Sequence, residues 1–270
     1  MTTVLDRILA TKRDEVTVLR RPQTRDLLRE QALAAPPTRD FAGALRRADG
    51  HPGLVAEIKR RSPSKGDLNP DLDPAQLARD YQAGGATALS VLTDAPYFGG
   101  RIADLQDARA ACDLPVLRKD FTIDEVQVYE ARAVGADAIL LILAALPEDG
   151  VVRDLHDLAT ALGLAVVVEA HDAAEVDRGV ALGVAILGVN ARDLGTFHED
   201  LGGASNLAAR IPASTIAVAE SAIRSPEDAA RMTAAGFDAL LVGEALVRSE
   251  HPQALATALV SSTVAPRAAT

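Results

Sequence analysis

Cysteine and tryptophan are scarce or absent in this chain, and their scarcity narrows the classes of protein it can belong to. Its 270 residues include a single cysteine, Cys112, and no tryptophan. One cysteine excludes an intrachain disulfide and favours a reducing compartment. Hydrophobic residues make up 48% of the chain but aromatic residues only 3%, so the core has to be built by aliphatic packing. That composition favours an α/β protein.

Long apolar runs are also missing, and this absence argues against a membrane protein. No segment approaches the roughly 20 uninterrupted apolar residues that a membrane-spanning helix needs. The chain starts with MTTVLDRILATKRDEV, in which charged and apolar residues alternate, unlike a signal peptide. We therefore expect a cytoplasmic protein without a membrane partner.

Motifs for nucleic acids, nucleotide cofactors and metals are absent as well. A formal net charge of −10 disfavours a nucleic-acid surface, because phosphate backbones need a clustered positive field. Neither a Walker A sequence nor a dinucleotide fingerprint occurs, and the histidines show no ligand spacing. The segment 67–73 has the alternating oxygens of a calcium loop, but Leu72 and Ala78 occupy the positions that need Gly and Glu. We expect no metal and no cofactor.

The sequence does contain eight short apolar runs separated by helix signals. Because the runs are uniformly apolar, they predict strands buried on both faces, as in a parallel sheet covered by helices. Helix starts such as Asp73-Pro74 and Ser225-Pro226 lie between them. This alternation predicts a single (β/α)8 TIM barrel; a doubly wound open sheet, the alternative, usually has fewer strands and often a Gly-rich first turn. The predicted strands are 54–59, 87–92, 115–119, 137–142, 164–169, 185–190, 215–220 and 238–242.

Three parts of the chain are expected to differ in structure. Residues 1–47 are predicted to form an N-terminal helical extension packed on the barrel. Phe41 and an apolar stripe that includes Ile8 need a surface to pack against. A solvated tail is the alternative for this part. Residues 48–262 are predicted to form the barrel, and 263–270 a frayed C-terminal tail.

Several predicted strands end on an ionisable residue, as parallel strands do when each delivers one group to a common rim. Glu57 and Lys59 are two residues apart and therefore share a face of the first strand. Lys119 closes the third strand, with Arg118 on the opposite face, and a lysine desolvated near other cations suits a general acid at neutral pH. Glu169 follows three valines, where a carboxylate is costly to bury unless it is paired or catalytic.

The later strands add groups suited to binding anions. Asn190 and Arg192 follow the sixth strand, and the planar fork of Arg192 fits a carboxylate or a phosphate. Glu220-Ser221 and Gly243-Glu244 end the seventh and eighth strands, where barrels commonly bind phosphate through backbone N–H groups. Ser62, next to a proline after the first strand, is interpreted as a donor held by a rigid turn.

Taken in order along nearly the whole chain, these motifs resemble the indole-3-glycerol-phosphate synthase family of tryptophan biosynthesis. The resemblance rests on VLDRILATKRDEV, EIKRRSPSKG, PVLRKDF, VVVEAHD, GVNARDL and VAES. It implies a cofactor-free carboxy-lyase, monomeric or weakly dimeric, that acts on a phosphorylated small molecule. The implied reaction converts 1-(2-carboxyphenylamino)-1-deoxyribulose 5-phosphate into indole-3-glycerol phosphate, carbon dioxide and water.

The same resemblance implies roles for particular residues. Lys119 matches the general acid of ring closure, and Glu169, with Glu57 as its partner, matches a proton acceptor or donor in the later steps. Lys59 matches a residue that contacts the substrate's carboxylate and phosphate, and Asn190 one that orients Glu169. The implied substrate-binding residues are Ser62, Phe98, Leu141, Arg192, Glu220 and Ser221. The implied phosphate-binding residues are Lys59, Ala222, Gly243 and Glu244.

Two positions depart from the family pattern. Ala222 occupies the position at which the family's AESGI motif has glycine. Its methyl group therefore lies beside the backbone N–H that is expected to bind the phosphate. A positive φ at Ala222 would be strained, and we expect weaker phosphate affinity with the site retained. Arg101 replaces the serine that usually follows YFGG and is interpreted as a surface residue at a helix start.

Two other functions remain as alternatives at this level. A catalytically quiet paralogue could bind a phosphorylated ligand, although retaining buried charges without use is costly. A related phosphosugar barrel such as phosphoribosylanthranilate isomerase would use a Cys and Asp pair on early strands, whereas the first strand here offers Glu57 and Lys59.

Overall fold

Eight parallel strands close into a barrel in the computed structural model, which describes residues 3–46, 49–192 and 198–265. Each strand pairs with the next along the chain, and the last pairs with the first. The predicted (β/α)8 barrel is confirmed, and every predicted strand begins and ends within one residue of the observed one. The strands are β1 Gly53–Ile58, β2 Ala88–Leu92, β3 Val116–Lys119, β4 Ala138–Ile142, β5 Ala165–Ala170, β6 Ile186–Asn190, β7 Ile216–Glu220 and β8 Ala239–Val242.

Helices lie between the strands, before the first of them and after the last. The side chain of Asp73 caps one helix by accepting from the Gln76 amide, and Ser225 forms a capping box with Asp228. After β1, Arg61–Ser62 pairs with Gly66–Asp67 in a short antiparallel hairpin. The helices are α1 Val4–Leu19, α2 Pro22–Ala34, α3 Phe41–Leu45, α4 Pro74–Ala83, α5 Ala95–Phe98, α6 Ile102–Ala111, α7 Glu125–Ala133, α8 Asp149–Ala161, α9 Ala173–Leu182, α10 Leu201–Leu207, α11 Pro226–Ala234, α12 Glu244–Arg248 and α13 Pro252–Leu259.

Alternate residues of each strand belong to two separate layers of the core. Outward side chains such as Leu54, Ile139 and Val166 pack with the helices, while inward ones such as Val55 and Leu140 fill the barrel. The last inward position of each strand therefore opens into the C-terminal mouth of the barrel. These positions are Leu92, Lys119, Ile142, Glu169, Asn190 and Glu220, and Lys59 and Gly243 extend the inward faces of β1 and β8 by one residue.

The N-terminal segment contacts both ends of the barrel. On α3, Phe41 and Leu45 are fully buried in the same cluster as Val55, Ala88 and Ala239, at the N-terminal end of the strands. The helix α2 packs along α7, and α1 reaches the C-terminal end of the barrel. A packed extension rather than a solvated tail is therefore observed over residues 3–46, while the expected boundary at 47–48 lies outside the described residues.

Buried ion pairs fix α1 to the loops at the C-terminal end of the barrel. Lys12, on α1, is 2% exposed, and its Nζ lies 2.8 Å from Asp120 Oδ1 and 3.0 Å from Asp94 Oδ2. Burial opposes the charged form, yet these carboxylates hold the pKa of Lys12 above its ordinary value. Because breaking a buried pair by removing one partner costs about 3–5 kcal/mol, α1 is a firmly held part of the mouth.

The C-terminal segment is hydrogen-bonded as far as it is described. The amide of Val264 donates to Gly50 O at 2.8 Å, and that of Ala265 donates to Thr233 O at 2.9 Å. The predicted frayed tail, 263–270, is therefore attached at its start, and 266–270 lie outside the described residues. No helix in the described ranges is long and apolar enough to cross a membrane.

Candidate active site

A cavity that opens to solvent occupies the C-terminal mouth of the barrel. Its floor is formed by the ends of the strands and its walls by the loops that follow them. Most residues predicted from the sequence line it together: Glu57, Lys59, Phe98, Lys119, Glu169, Asn190, Arg192, Glu220, Ser221, Ala222, Gly243 and Glu244.

Lys119 lies between two buried glutamates. Its Nζ donates to Glu169 Oε2 at 2.8 Å and to Glu220 Oε2 at 2.5 Å, and both carboxylates are 1% exposed. Burial disfavours the ammonium, but Glu169, Glu220 and Glu57 outweigh it and raise the pKa of Lys119. The sequence-based expectation of a lysine near other cations is therefore corrected: its hydrogen-bonded partners are carboxylates, and it is fully protonated at neutral pH.

Glu169 is held by donors on both sides of its carboxylate. Oε1 accepts from Asn190 Nδ2 at 3.1 Å, as expected for a residue that orients it, and lies 3.2 Å from His171 Nε2. Although burial opposes ionisation, Lys119 and His171 lower the pKa of Glu169 well below its ordinary value. His171 itself lies between Glu169 and Glu175; burial acts against its charge, but the two carboxylates raise its pKa to about 10.

Sequence reasoning missed His171 as a site residue. His171 follows Glu169 by two residues, and residues two apart lie on the same face of an extended segment. This spacing could have predicted that His171 lies beside Glu169.

Glu57 and Lys59 share the inward face of β1, as predicted. Lys59 Nζ donates to Glu57 Oε1 at 2.5 Å, and the Ser90 hydroxyl donates to Oε2 at 3.3 Å. Burial opposes ionisation of Glu57, yet Lys59 and Lys119 lower its pKa. A Cβ at Gly243 would lie 2.4 Å from Glu57 Oε1, so glycine at this position leaves room for the carboxylate.

Glu220 is the carboxylate that burial perturbs most clearly. Burial raises its pKa to about 7; Lys119 opposes that shift and Glu169 adds to it. A Cβ at Gly188 would lie 2.1 Å from Glu220 Oε1, so this glycine too is required by the close approach of a carboxylate.

The turn after β7 has the positive φ at Ala222 that was expected to be strained. Ser221 and Ala222 have φ of 66° and 59°, both in the left-handed region, and α11 begins shortly afterwards at Pro226. Such a turn directs successive backbone N–H groups into a concave anion site. Ala222 accordingly adopts the positive φ that the family's glycine would accommodate without strain.

Arg192 is paired with other side chains of the protein. Nη1 donates to Ser64 Oγ at 2.9 Å, Nε donates to Glu199 Oε1 at 3.1 Å, and Glu244 Oε2 lies 3.8 Å from Nη2. Ser62 is buried, with its hydroxyl 3.5 Å from Ser64 Oγ, and does not line the cavity. Its predicted substrate contact stays a prediction.

One side of the cavity is apolar. The rings of Phe98 and Phe121 face it with their centroids 6.1 Å apart, and Leu140 and Ile142 extend the wall along β4. The prediction that Leu141 lines this wall is wrong. Leu141 is fully buried among the outward residues that pack against the helices, because neighbouring residues of a strand face opposite sides.

Comparison with known proteins agrees with these motifs. A family model described as "Indole-3-glycerol phosphate synthase" matches residues 5–259. A relative of that name from Aromatoleum aromaticum is 51% identical over 256 residues, which cover 93% of this chain and 97% of the relative. Another, from Azospirillum brasilense, is 48% identical over 263 residues, covering 97% and 100%. The chain belongs to the indole-3-glycerol phosphate synthase family.

Solved structures with less sequence similarity share the barrel with this family member. A 3-hexulose-6-phosphate synthase superposes with a TM-score of 0.61 at 18% identity, covering 78% of this chain and all of that one (100%). A thiamine phosphate pyrophosphorylase from Pyrococcus furiosus gives 0.59 at 19% identity, with 82% and 96% covered. At this identity the likeness shows the fold alone.

Proposed function

We propose that this chain catalyses the conversion of 1-(2-carboxyphenylamino)-1-deoxyribulose 5-phosphate into indole-3-glycerol phosphate, carbon dioxide and water. The observation that carries the proposal is the ammonium of Lys119, held between the buried carboxylates of Glu169 and Glu220 in a cavity that has an apolar wall with two phenylalanine rings. Membership of the family supports the reaction, and the geometry supports the roles of individual residues.

Ring closure needs an acid at the substrate's ketone and a fixed aromatic ring. Lys119 donates its proton to the ketone oxygen as the aromatic carbon that bears the carboxylate attacks the ketone carbon. Phe98, Phe121 and Leu140 hold the ring, and Arg192 holds the carboxylate through its planar fork. Closure therefore joins two reacting atoms that the cavity already keeps in contact.

Decarboxylation and dehydration complete the indole. Loss of carbon dioxide restores the aromatic ring, leaving a hydroxyl on the new five-membered ring. Lys59, oriented by Glu57, donates a proton to that hydroxyl as it leaves as water, and Glu169 accepts the proton that the ring loses. Two protons are added to oxygen and one is returned, so each turnover takes up one proton, as conversion of a carboxylate to carbon dioxide requires.

The phosphate is assigned to the loops after β7 and β8. Ser221, Ala222 and Gly243 offer backbone N–H groups on the cavity wall, and Lys59 adds a positive charge. The family resemblance supports a monomer, or a weak homodimer, as the working unit. The single cysteine and the family's place in tryptophan biosynthesis support action in the cytoplasm.

Fluorescence of the indole product tests this function directly. The chain contains no tryptophan, so product emission rises against a low protein background. We expect turnover by the wild-type protein and a loss of about 10³-fold in kcat for Lys119→Met, the scale of acid–base catalysis. Folding of the variant is checked by circular dichroism. Ligand binding without any turnover in the wild-type protein would instead favour a catalytically quiet paralogue.

A further inference from the structure

Glu199 places a carboxylate between two guanidinium groups on the cavity wall. Oε1 accepts from Arg192 Nε at 3.1 Å, and Oε2 accepts from Arg224 Nη2. The backbones of Arg192 and Glu199 also form an antiparallel bridge. Glu199 and Arg192 each have side chains only 15% exposed, so the pair is held in place within the mouth and belongs to the cavity lining.

This pairing neutralises the guanidinium that the proposed function assigns to the substrate's carboxylate. Burial opposes ionisation of Glu199, but hydrogen bonding and charge from Arg192, together with the charge of Arg224, lower its pKa. Glu199 is therefore an anion at neutral pH. A substrate carboxylate that binds Arg192 has to take the position of an anion that the protein itself supplies.

We propose that Glu199 is a resident substitute for the substrate's carboxylate, displaced from Arg192 when substrate binds and restored to it when carbon dioxide leaves. The proposal rests on the proposed function, because it assigns the carboxylate of that substrate to Arg192. Glu199 is then a specificity-determining residue: it touches neither the ketone nor the leaving hydroxyl, and it acts through Arg192.

The chemistry of the reaction explains why such a residue is useful. Substrate and product both carry the phosphate, but only the substrate carries the carboxylate. After decarboxylation Arg192, a partly buried cation, would keep only the more distant carboxylate of Glu244, 3.8 Å away, as an ionic partner, which is costly. The return of Glu199 removes that cost in the product complex, whereas the displacement of Glu199 weakens the substrate complex. The residue therefore lowers affinity for substrate relative to product and leaves affinity for product almost unchanged.

Two ligands that differ at the carboxylate test the proposal. One is the substrate with its ketone reduced to an alcohol, which keeps the carboxylate and phosphate and cannot close the ring. The other is indole-3-glycerol phosphate. Calorimetric titration of wild type and Glu199→Gln should show the carboxylated analogue binding about three- to fivefold more tightly to the variant, the upper part of the range for releasing one partly exposed ion pair. Affinity for the product should change by less than about twofold on the same scale.

A matched control removes the same charge from the same region without touching Arg192. Glu227 is exposed at the first turn of α11, close in sequence to Arg224. Glu227→Gln should leave the ratio of the two dissociation constants unchanged. If the effect is instead long-range electrostatics, both variants should change the ratio of the two dissociation constants equally. That result would overturn the specific role of Glu199.

The remaining outcomes are equally decisive. Weaker binding of both ligands to Glu199→Gln, with a lower unfolding temperature, would mean that Glu199 only supports the loop. The role of Glu199 is overturned if Glu199→Gln leaves the ratio of the two dissociation constants unchanged. If the wild-type protein turns over substrate in that case, the proposed function is intact. A wild-type protein that binds the analogue but makes no indole product contradicts the proposed function, and the ratio still tests Glu199. Binding of neither ligand overturns both.

Discussion

Replacing Ala222 by glycine should stabilise this protein, which is the reverse of the usual effect of glycine. Ala222 has φ of 59° and follows Ser221, whose φ is 66°. A non-glycine residue in the left-handed region costs about 1–2 kcal/mol, and glycine removes that cost. Glycine also adds conformational entropy to the unfolded chain, a loss of about 0.4–1 kcal/mol. The balance predicts a gain of about 0.5–1 kcal/mol in the free energy of unfolding.

A second alanine offers the matched control. Ala235 has φ of −76° and is partly buried like Ala222, so Ala235→Gly gains no relief of strain and should destabilise the protein. Urea unfolding with linear extrapolation measures both variants at one temperature. The difference between them should be about 1–2 kcal/mol, the strain itself. If Ala222→Gly destabilises as much as Ala235→Gly, the strain argument is refuted.

The Michaelis constant of the same variant answers a separate question. A lower KM for Ala222→Gly would support the sequence-based expectation that the methyl group weakens phosphate binding. An unchanged KM would mean that the left-handed turn already presents its N–H groups fully, and that the expectation of weaker affinity is wrong even though the strain is real.

Other predictions use neighbouring positions that differ in one property. Leu140→Ala should raise KM severalfold, whereas Leu141→Ala should cost about 2–5 kcal/mol of stability and leave KM unchanged; equal effects would contradict the assigned faces. Gly188→Ala should displace the carboxylate of Glu220, because the new Cβ would lie 2.1 Å from Oε1, and kcat should fall in steady-state assays. The pKa of His171 is raised to about 10, above its unfolded value near 6.5. Its charged form therefore contributes stability that is complete below pH 6.5 and lost as pH rises through 10. In denaturant titrations, His171→Gln should destabilise the protein clearly at pH 6 and hardly at pH 10.5.

The sequence was sufficient for the strands because each is a buried apolar run, several of them following a helix-ending glycine. It was also sufficient for the faces of β1, β3 and β5, where Glu57, Lys119 or Glu169 marks the inward side. In β4 every residue from 138 to 142 is apolar, so nothing in the sequence distinguishes the two faces. A choice of register that is wrong by one residue exchanges them, and Leu141 was selected instead of Leu140.

Contacts between segments far apart in the chain were beyond sequence reasoning. The partners of Lys12 are more than 80 residues away, at Asp94 and Asp120, and no local pattern pairs a lysine on a helical stripe with two distant loops. The pairing of Arg224 with Glu199 likewise depends on how the loops after β6 and β7 approach each other. Local patterns predict which element a residue belongs to, and only the closed barrel determines which loops meet.

The two glutamates around Lys119 show how the barrel gives similar residues different charge states. Both are 1% exposed, so burial opposes ionisation in each. Glu169 has Lys119, Asn190 and His171 as partners, and they lower its pKa. Among the described residues Glu220 Oε1 has no hydrogen-bond donor, and Lys119 is shared with a competing carboxylate, so the pKa of Glu220 rises to about 7. At neutral pH the site therefore keeps Glu169 as an anion ready to accept a proton, while Glu220 is partly protonated and limits the negative charge around the ammonium.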